Sequence, residues 1–286
     1  MSFAETALLG ALAGSTIFLS LPFGRLQIVD NRARVALAMF AVGVLAFLFV
    51  DIFEHAFEIV EEPVEELADG GGSLAEAIGL VALLGAGFAM GTAGLATIER
   101  RLRPGPPSQP PIAGGSVDTL PPEAAMQIRT ETDEARRRAL QTGMTIAAAI
   151  GMHNFAEGLA IGVAASTGDI GLATVLIVGF ALHNATEGFG IVGPLGDVRP
   201  SWSWLFVAGL VGGGPVFLGA MLGYEVNSEP LELVFYAVSA GAILYVIGEV
   251  WSAMRRLGHR ELGLLMLSAG LFVGVATEMV IAYGGG

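Results

Sequence analysis

Two short runs in this sequence combine residue types that bind metal ions. The first, at 151–158, reads Gly-Met-His-Asn-Phe-Ala-Glu-Gly and supplies His153, Asn154 and Glu157. The second, at 183–188, reads His-Asn-Ala-Thr-Glu-Gly and supplies His183, Asn184 and Glu187 with the same internal spacing. On a helix, residues three and four apart lie on one face, so each run presents an imidazole, an amide and a carboxylate together. Imidazole nitrogen with amide and carboxylate oxygen suits a borderline divalent ion such as zinc, iron or manganese. If the two helices are antiparallel neighbours, the faces can meet. Their ligands would then suffice for one ion, or for two sharing bridging carboxylates.

Two other readings stand beside this one. The same groups could be interhelical hydrogen bonds that hold a membrane bundle together, or a proton relay, since buried His and Glu titrate within reach of neutral pH. A single run would not separate structure from function. Two centrally placed copies, each with a carboxylate, favour metal binding, because ionisable groups in the hydrocarbon region are costly and mark functional sites.

Further polar residues fall around these runs. Asp51, Glu54, His55 and Glu58 share a helical face that leads into an acidic segment over about 58–69. They read either as a cation-attracting entrance or as the polar face of a helix emerging into water. Glu249 precedes Arg255 and Arg256 and reads as an exit-side ligand or as an arginine partner. Glu5 and Glu278 read as interfacial, and His259 as a solvated loop residue.

These groups need elements to position them, and hydropathy supplies those elements. The chain has 286 residues, of which 53% are hydrophobic and 14% charged, against about 25% charged in a typical soluble domain. Its apolar residues cluster in eight windows near 4–22, 36–57, 75–97, 140–165, 170–193, 203–223, 231–253 and 262–283. Each is of the order of the ~20 residues that a helix needs to cross the hydrocarbon core. The expected fold is therefore an all-α, polytopic protein with eight transmembrane helices, placed in the cell membrane as one transmembrane domain over 1–286. The two runs fall in the fourth and fifth windows. The longest connection, 98–139, has a middle over 104–122 rich in Pro, Gly and Ser that reads as a disordered linker. Glu5 stands where a signal peptide would carry basic residues, so the first window reads as a retained helix.

Charge placement orients the bundle. All 14 basic residues are Arg, and with eight windows every one falls on the same side: Arg25, Arg32 and Arg34; then seven between windows three and four; Arg199; and Arg255, Arg256 and Arg260. By the positive-inside rule this side, including the 98–139 loop, is cytoplasmic and both termini are extracellular.

The tandem His-Asn-x-x-Glu-Gly runs resemble the ZIP (Zrt-, Irt-like) family of metal transporters, in particular its bacterial and archaeal zinc-uptake-like branch. The resemblance extends over essentially the whole chain, through the eight spans, the long loop and both runs. It implies a binuclear centre between spans four and five, alternating access and often a homodimer. One site would use His153, Glu157, His183 and Glu187, and its neighbour Asn154, Glu157, Asn184 and Glu187; Glu249 matches the acidic position in helix seven. Three positions depart from the family pattern. Ala156 and Thr186 replace its usual Pro, whose absence removes a cause of kinking. Gly214, in Gly-Gly-Pro, stands where many members carry a Glu that completes the second site. The long loop has no His.

The function expected from all this is inward transport of divalent transition-metal ions, zinc first, with iron, manganese, cobalt or cadmium as further substrates. No organic cofactor is implied, and the protein is not expected to be an enzyme. A metal sensor without net transport is the alternative. A zinc-dependent intramembrane hydrolase is more distant: it needs an activated water, and neither Ser166 nor Ser201 has a convincing base. The absence of Cys rules out thiolate sites. The net charge of -13 argues against nucleic acid, leaving the lipid bilayer and metal ions as partners.

Overall fold

The computed structural model describes residues 1–26, 30–102, 122–168, 170–225 and 228–283, and all regular structure in them is helical. The elements are α1 (Phe3–Ser15), α2 (Asn31–Ala68), α3 (Leu74–Ala89), α4 (Leu95–Leu102), α5 (Pro122–Ser166), α6 (Ile170–Val192), α7 (Trp202–Glu225), α8 (Glu229–Arg255) and α9 (Arg260–Tyr283). Eight helical stretches are long and apolar enough to cross a membrane, which makes this a multi-pass, all-α membrane protein.

Helix ends follow local chemistry more than hydropathy. Ser2 and Glu5 form a reciprocal capping box at the start of α1, so Glu5 satisfies backbone donors. Two 3-10 turns, Thr16–Leu19 and Leu21–Gly24, complete that span. Asp30 caps α2 by accepting from the Ala33 N–H. The acidic segment after window two continues this helix to Ala68, since Glu is a good helix former. At 38 residues, α2 is roughly 57 Å long and must project beyond a core of about 30 Å. The third span is interrupted by a π turn, Met90–Gly94, that joins α3 to α4. The connection drawn over 98–139 is helical at both ends, through Leu102 and from Pro122 onward. The linker expected over 104–122 lies outside the described residues except for Pro122 itself.

The helices pack as two blocks. One comprises α1, α5, α6 and α7; the other comprises α2, α3 with α4, α8 and α9. Within each block glycines bring backbones together: a Cβ at Gly158 of α5 would collide with the Val216 carbonyl of α7, and one at Gly43 of α2 with the Leu267 carbonyl of α9. Such small-residue contacts are how apolar helices associate without a hydrophobic driving force. The blocks meet where α5 faces α8 and α2 faces α6. Large side chains fill that seam, among them Leu45, Leu48, Ile150 and Ile243. Both His-Asn-x-x-Glu-Gly runs lie in the first block, next to the seam.

Candidate metal centre

α5 and α6 are consecutive helices joined by a short turn, and this brings the two runs together. His153, Asn154, Glu157, His183, Asn184 and Glu187 are all at most 4% exposed. His153 Nε2 stands 3.1 Å from Glu157 Oε1 and 3.4 Å from Glu187 Oε1. The first contact lies within α5 and the second crosses to α6, yet none of the three atoms has hydrogen-bond geometry with a partner.

The amides are arranged to a pattern. Asn154 donates through Nδ2 to Glu187 Oε2 at 3.1 Å and to the Gly212 carbonyl of α7 at 2.9 Å. Asn184 donates through Nδ2 to the Ala13 carbonyl of α1 at 3.4 Å. Asn154 thus ties Glu187 to α7 and Asn184 anchors to α1, while both Oδ1 atoms are left buried without a hydrogen bond. His183 Nδ1 and Nε2, Glu187 Oε1 and both Glu157 oxygens are in the same condition. Buried polar atoms are almost always paired, and each orphan costs on the order of 1–3 kcal/mol. So many in one place, all of them atom types that can bind a metal, set this cluster apart from an ordinary buried polar contact. A positively charged ion would satisfy the carboxylates, the imidazole nitrogens and the amide oxygens at once. Among the described residues no three His, Asp or Glu groups already stand in the geometry of a formed site.

Ser239 of α8 supplies a contact with no forewarning in the spacing of the runs. Its Oγ lies 3.4 Å from His153 Nδ1, and both residues are fully buried. A partner on one ring nitrogen fixes the imidazole and leaves the other for the ligand side. A lone hydroxyl in an apolar helix gives only a weak signal.

The entrance residues are separated by the fold. A cavity of about 260 Å³ is lined by Asp51 and His55 of α2, Glu157 of α5, His183 of α6, and Tyr236 and Glu278 of α8 and α9. It joins half of the expected entrance set to the runs. Glu54 and Glu58 are exposed and do not line it. Glu278, expected at the interface, is drawn into it. Glu249 is half-buried on α8, ten residues beyond Ser239 and roughly 15 Å along the helix, so it lies apart from the centre. Gly214 is half-buried, and a Cβ added there would meet no atom within 4 Å.

The same segment carries the likeness to known proteins. The family model described as ZIP Zinc transporter matches residues 107–248, which contain both runs. The Zinc transporter ZupT of Corynebacterium glutamicum is 29% identical over 241 residues, covering 82% of this chain and 82% of that protein. With eight membrane-crossing stretches and two buried His-Asn-x-x-Glu faces brought together, the chain is similar to the ZIP family, whose members are membrane metal-transport proteins and not enzymes.

Proposed function

We propose that this protein carries zinc, and related divalent transition-metal ions, into the cytoplasm through a centre formed by His153, Asn154, Glu157, His183, Asn184 and Glu187. The observation that carries the reading is the set of buried, unpaired donor atoms on α5 and α6. The relative's name as a zinc transporter supports zinc as the first substrate.

Asp51 and His55, with Glu278, form the outer approach, since they share one cavity with Glu157 and His183. The arginine distribution supports the orientation, with both termini outside and the 98–139 connection inside. Ions would thus arrive from the acidic side and leave on the arginine side, past Glu249. The open space at Gly214 supports a centre that holds one ion more firmly than two.

Uptake into proteoliposomes tests this directly. Wild type should accumulate zinc, and compete it with iron(II), manganese or cobalt, while His153→Ala combined with Glu187→Ala should not. Zinc binding without accumulation of any of these ions would replace transport with sensing.

A further inference from the structure

We propose that the basic cavity between the end of the first span, the start of α2 and the α6–α7 turn binds the phosphate headgroup of an anionic phospholipid. The cavity measures about 480 Å³ and is lined by Arg25, Arg34 and Arg199, with Asp197 as its one carboxylate. The three guanidinium groups come from three separate segments of chain. Nothing in metal transport uses them, and they would repel the cargo.

Two of the arginines are held in place by the protein. Arg25 donates to the Pro200 carbonyl at 2.6 Å, and its guanidinium lies 5.4 Å from the centre of the Trp202 ring. Arg34 reaches Asp197 at 3.4 Å, but that carboxylate is 96% exposed, so the contact is screened and weak. The net charge around the cavity stays positive. Arginine presents its donors in a planar fork that matches phosphate oxygens.

The opposite wall argues for a lipid over a free anion. Phe23 and Leu26 are 40% and 42% exposed, and with Leu37 and Phe189 they give the cavity an apolar side. A site with guanidinium groups at one edge and exposed aromatic and aliphatic side chains at the other suits a molecule with a charged head and an acyl chain. Basic pockets between transmembrane helices on the cytoplasmic side are known receptors for such headgroups. Assigning this face to the cytoplasmic leaflet rests on the orientation proposed above; binding in detergent does not.

The full-length protein, purified in detergent, would be mixed with phosphatidylglycerol, phosphatidylcholine or inorganic phosphate and its bound lipid measured by native mass spectrometry. Wild type should retain phosphatidylglycerol in preference to phosphatidylcholine. Arg34→Gln with Arg199→Gln should weaken that retention by about tenfold or more, while Arg101→Gln with Arg256→Gln, removing equal charge away from the cavity, should not. The single variants Arg34→Gln and Arg199→Gln give the same comparison if the double variant does not fold. Equal losses in the cavity and control variants would overturn the proposal by reducing it to net charge. Displacement of phosphatidylglycerol by millimolar inorganic phosphate would overturn the lipid assignment and leave a free-anion site.

Discussion

Glu99 of α4 and the pair Glu157 and Glu187 are all buried carboxylates in membrane-crossing stretches, but their surroundings differ. Glu99 accepts from Tyr245 of α8 at 2.6 Å through one oxygen and from Thr142 of α5 at 3.1 Å through the other. It ties three helices together across the seam between the blocks. At the runs on α5 and α6, Glu187 has one oxygen bonded to Asn154, and the remaining carboxylate oxygens have no hydrogen bond. A buried polar group that serves structure is given partners by the fold. At the runs, the two Asn side chains make their hydrogen bonds through Nδ2 and leave Oδ1, the atom a metal would need, without one. Burial of charge alone would not separate these regions; the accounting of donors and acceptors does.

The strongest way to break this comparison is to remove both kinds of group and measure both properties. His153→Ala with Glu187→Ala should lower zinc uptake by about a hundredfold or more, since loss of even outer partners of a metal ligand costs 10–100-fold. In metal-free detergent solution its melting should fall less than that of Glu99→Ala, because removal of two buried atoms without a hydrogen bond, His153 Nε2 and Glu187 Oε1, offsets loss of the Asn154–Glu187 bond and the Ser239 contact. Glu99→Ala should do the reverse. It removes the carboxylate that accepts from the Tyr245 and Thr142 hydroxyls and should destabilise the protein by about 2 kcal/mol, while zinc affinity changes little. A Glu99 variant that melts normally but loses zinc would put this carboxylate on the metal path and end the distinction.

Acidity sharpens the contrast in another way. Ligand imidazoles and carboxylates must be deprotonated to hold a metal, so binding releases protons and weakens as pH falls. Between pH 7.5 and 5.5, zinc affinity should fall by about tenfold or more as protons compete for the imidazoles and carboxylates. Calorimetry in buffers of different ionisation enthalpy would count the released protons. An unchanged zinc affinity in both His153→Ala and His183→Ala would mean that neither imidazole is a ligand.

Legibility in the sequence follows the same division. The runs on α5 and α6 could be read because their types, spacing and repetition are properties of the chain itself. Hydropathy likewise gave eight spans. It did not give their helical length, since α2 continues through Glu61, Glu62, Glu65 and Glu66, where the residues favour helix but not hydrocarbon. Glu99 was hidden because Glu-Arg-Arg at a span's end looks like an interfacial charge cluster. The role of Ser239 was hidden because its partner is 86 residues away. Glu278 was read as interfacial, and only the packing of α9 against α2 and α6 brings it to the cavity. The four acidic and His positions on α2 share a helical face by spacing, yet their neighbours, which spacing cannot supply, separate them.

Ser239 tests how far the scaffold extends. Replacing it with Ala removes the group beside His153 Nδ1 and frees the ring to rotate. Zinc affinity should fall about tenfold, at the lower end for loss of an outer partner. Ser239→Thr restores a hydroxyl and should recover part of the loss if the extra methyl is accommodated. Equal loss in both variants, with no change in melting, would show that the hydroxyl is not what orients the ring.

The smallest effect is expected at the approach, where two acidic neighbours on α2 provide an internal control. Asp51 lines the cavity with Glu157 and His183, whereas Glu54, three residues on, is exposed and outside it. Both are carboxylic side chains, so a general attraction of cations to this end of α2 would make Asp51→Asn and Glu54→Gln equivalent. If the cavity is the route, Asp51→Asn should raise the KM for zinc uptake several-fold with little change in the maximal rate, because it removes attraction before the centre is reached and leaves the ligands intact. Glu54→Gln should change KM less than twofold, and raising the ionic strength should shrink even that, as exposed charges are screened beyond about 8–10 Å. Equal shifts in KM would return all four positions on α2 to the status of a polar helix end.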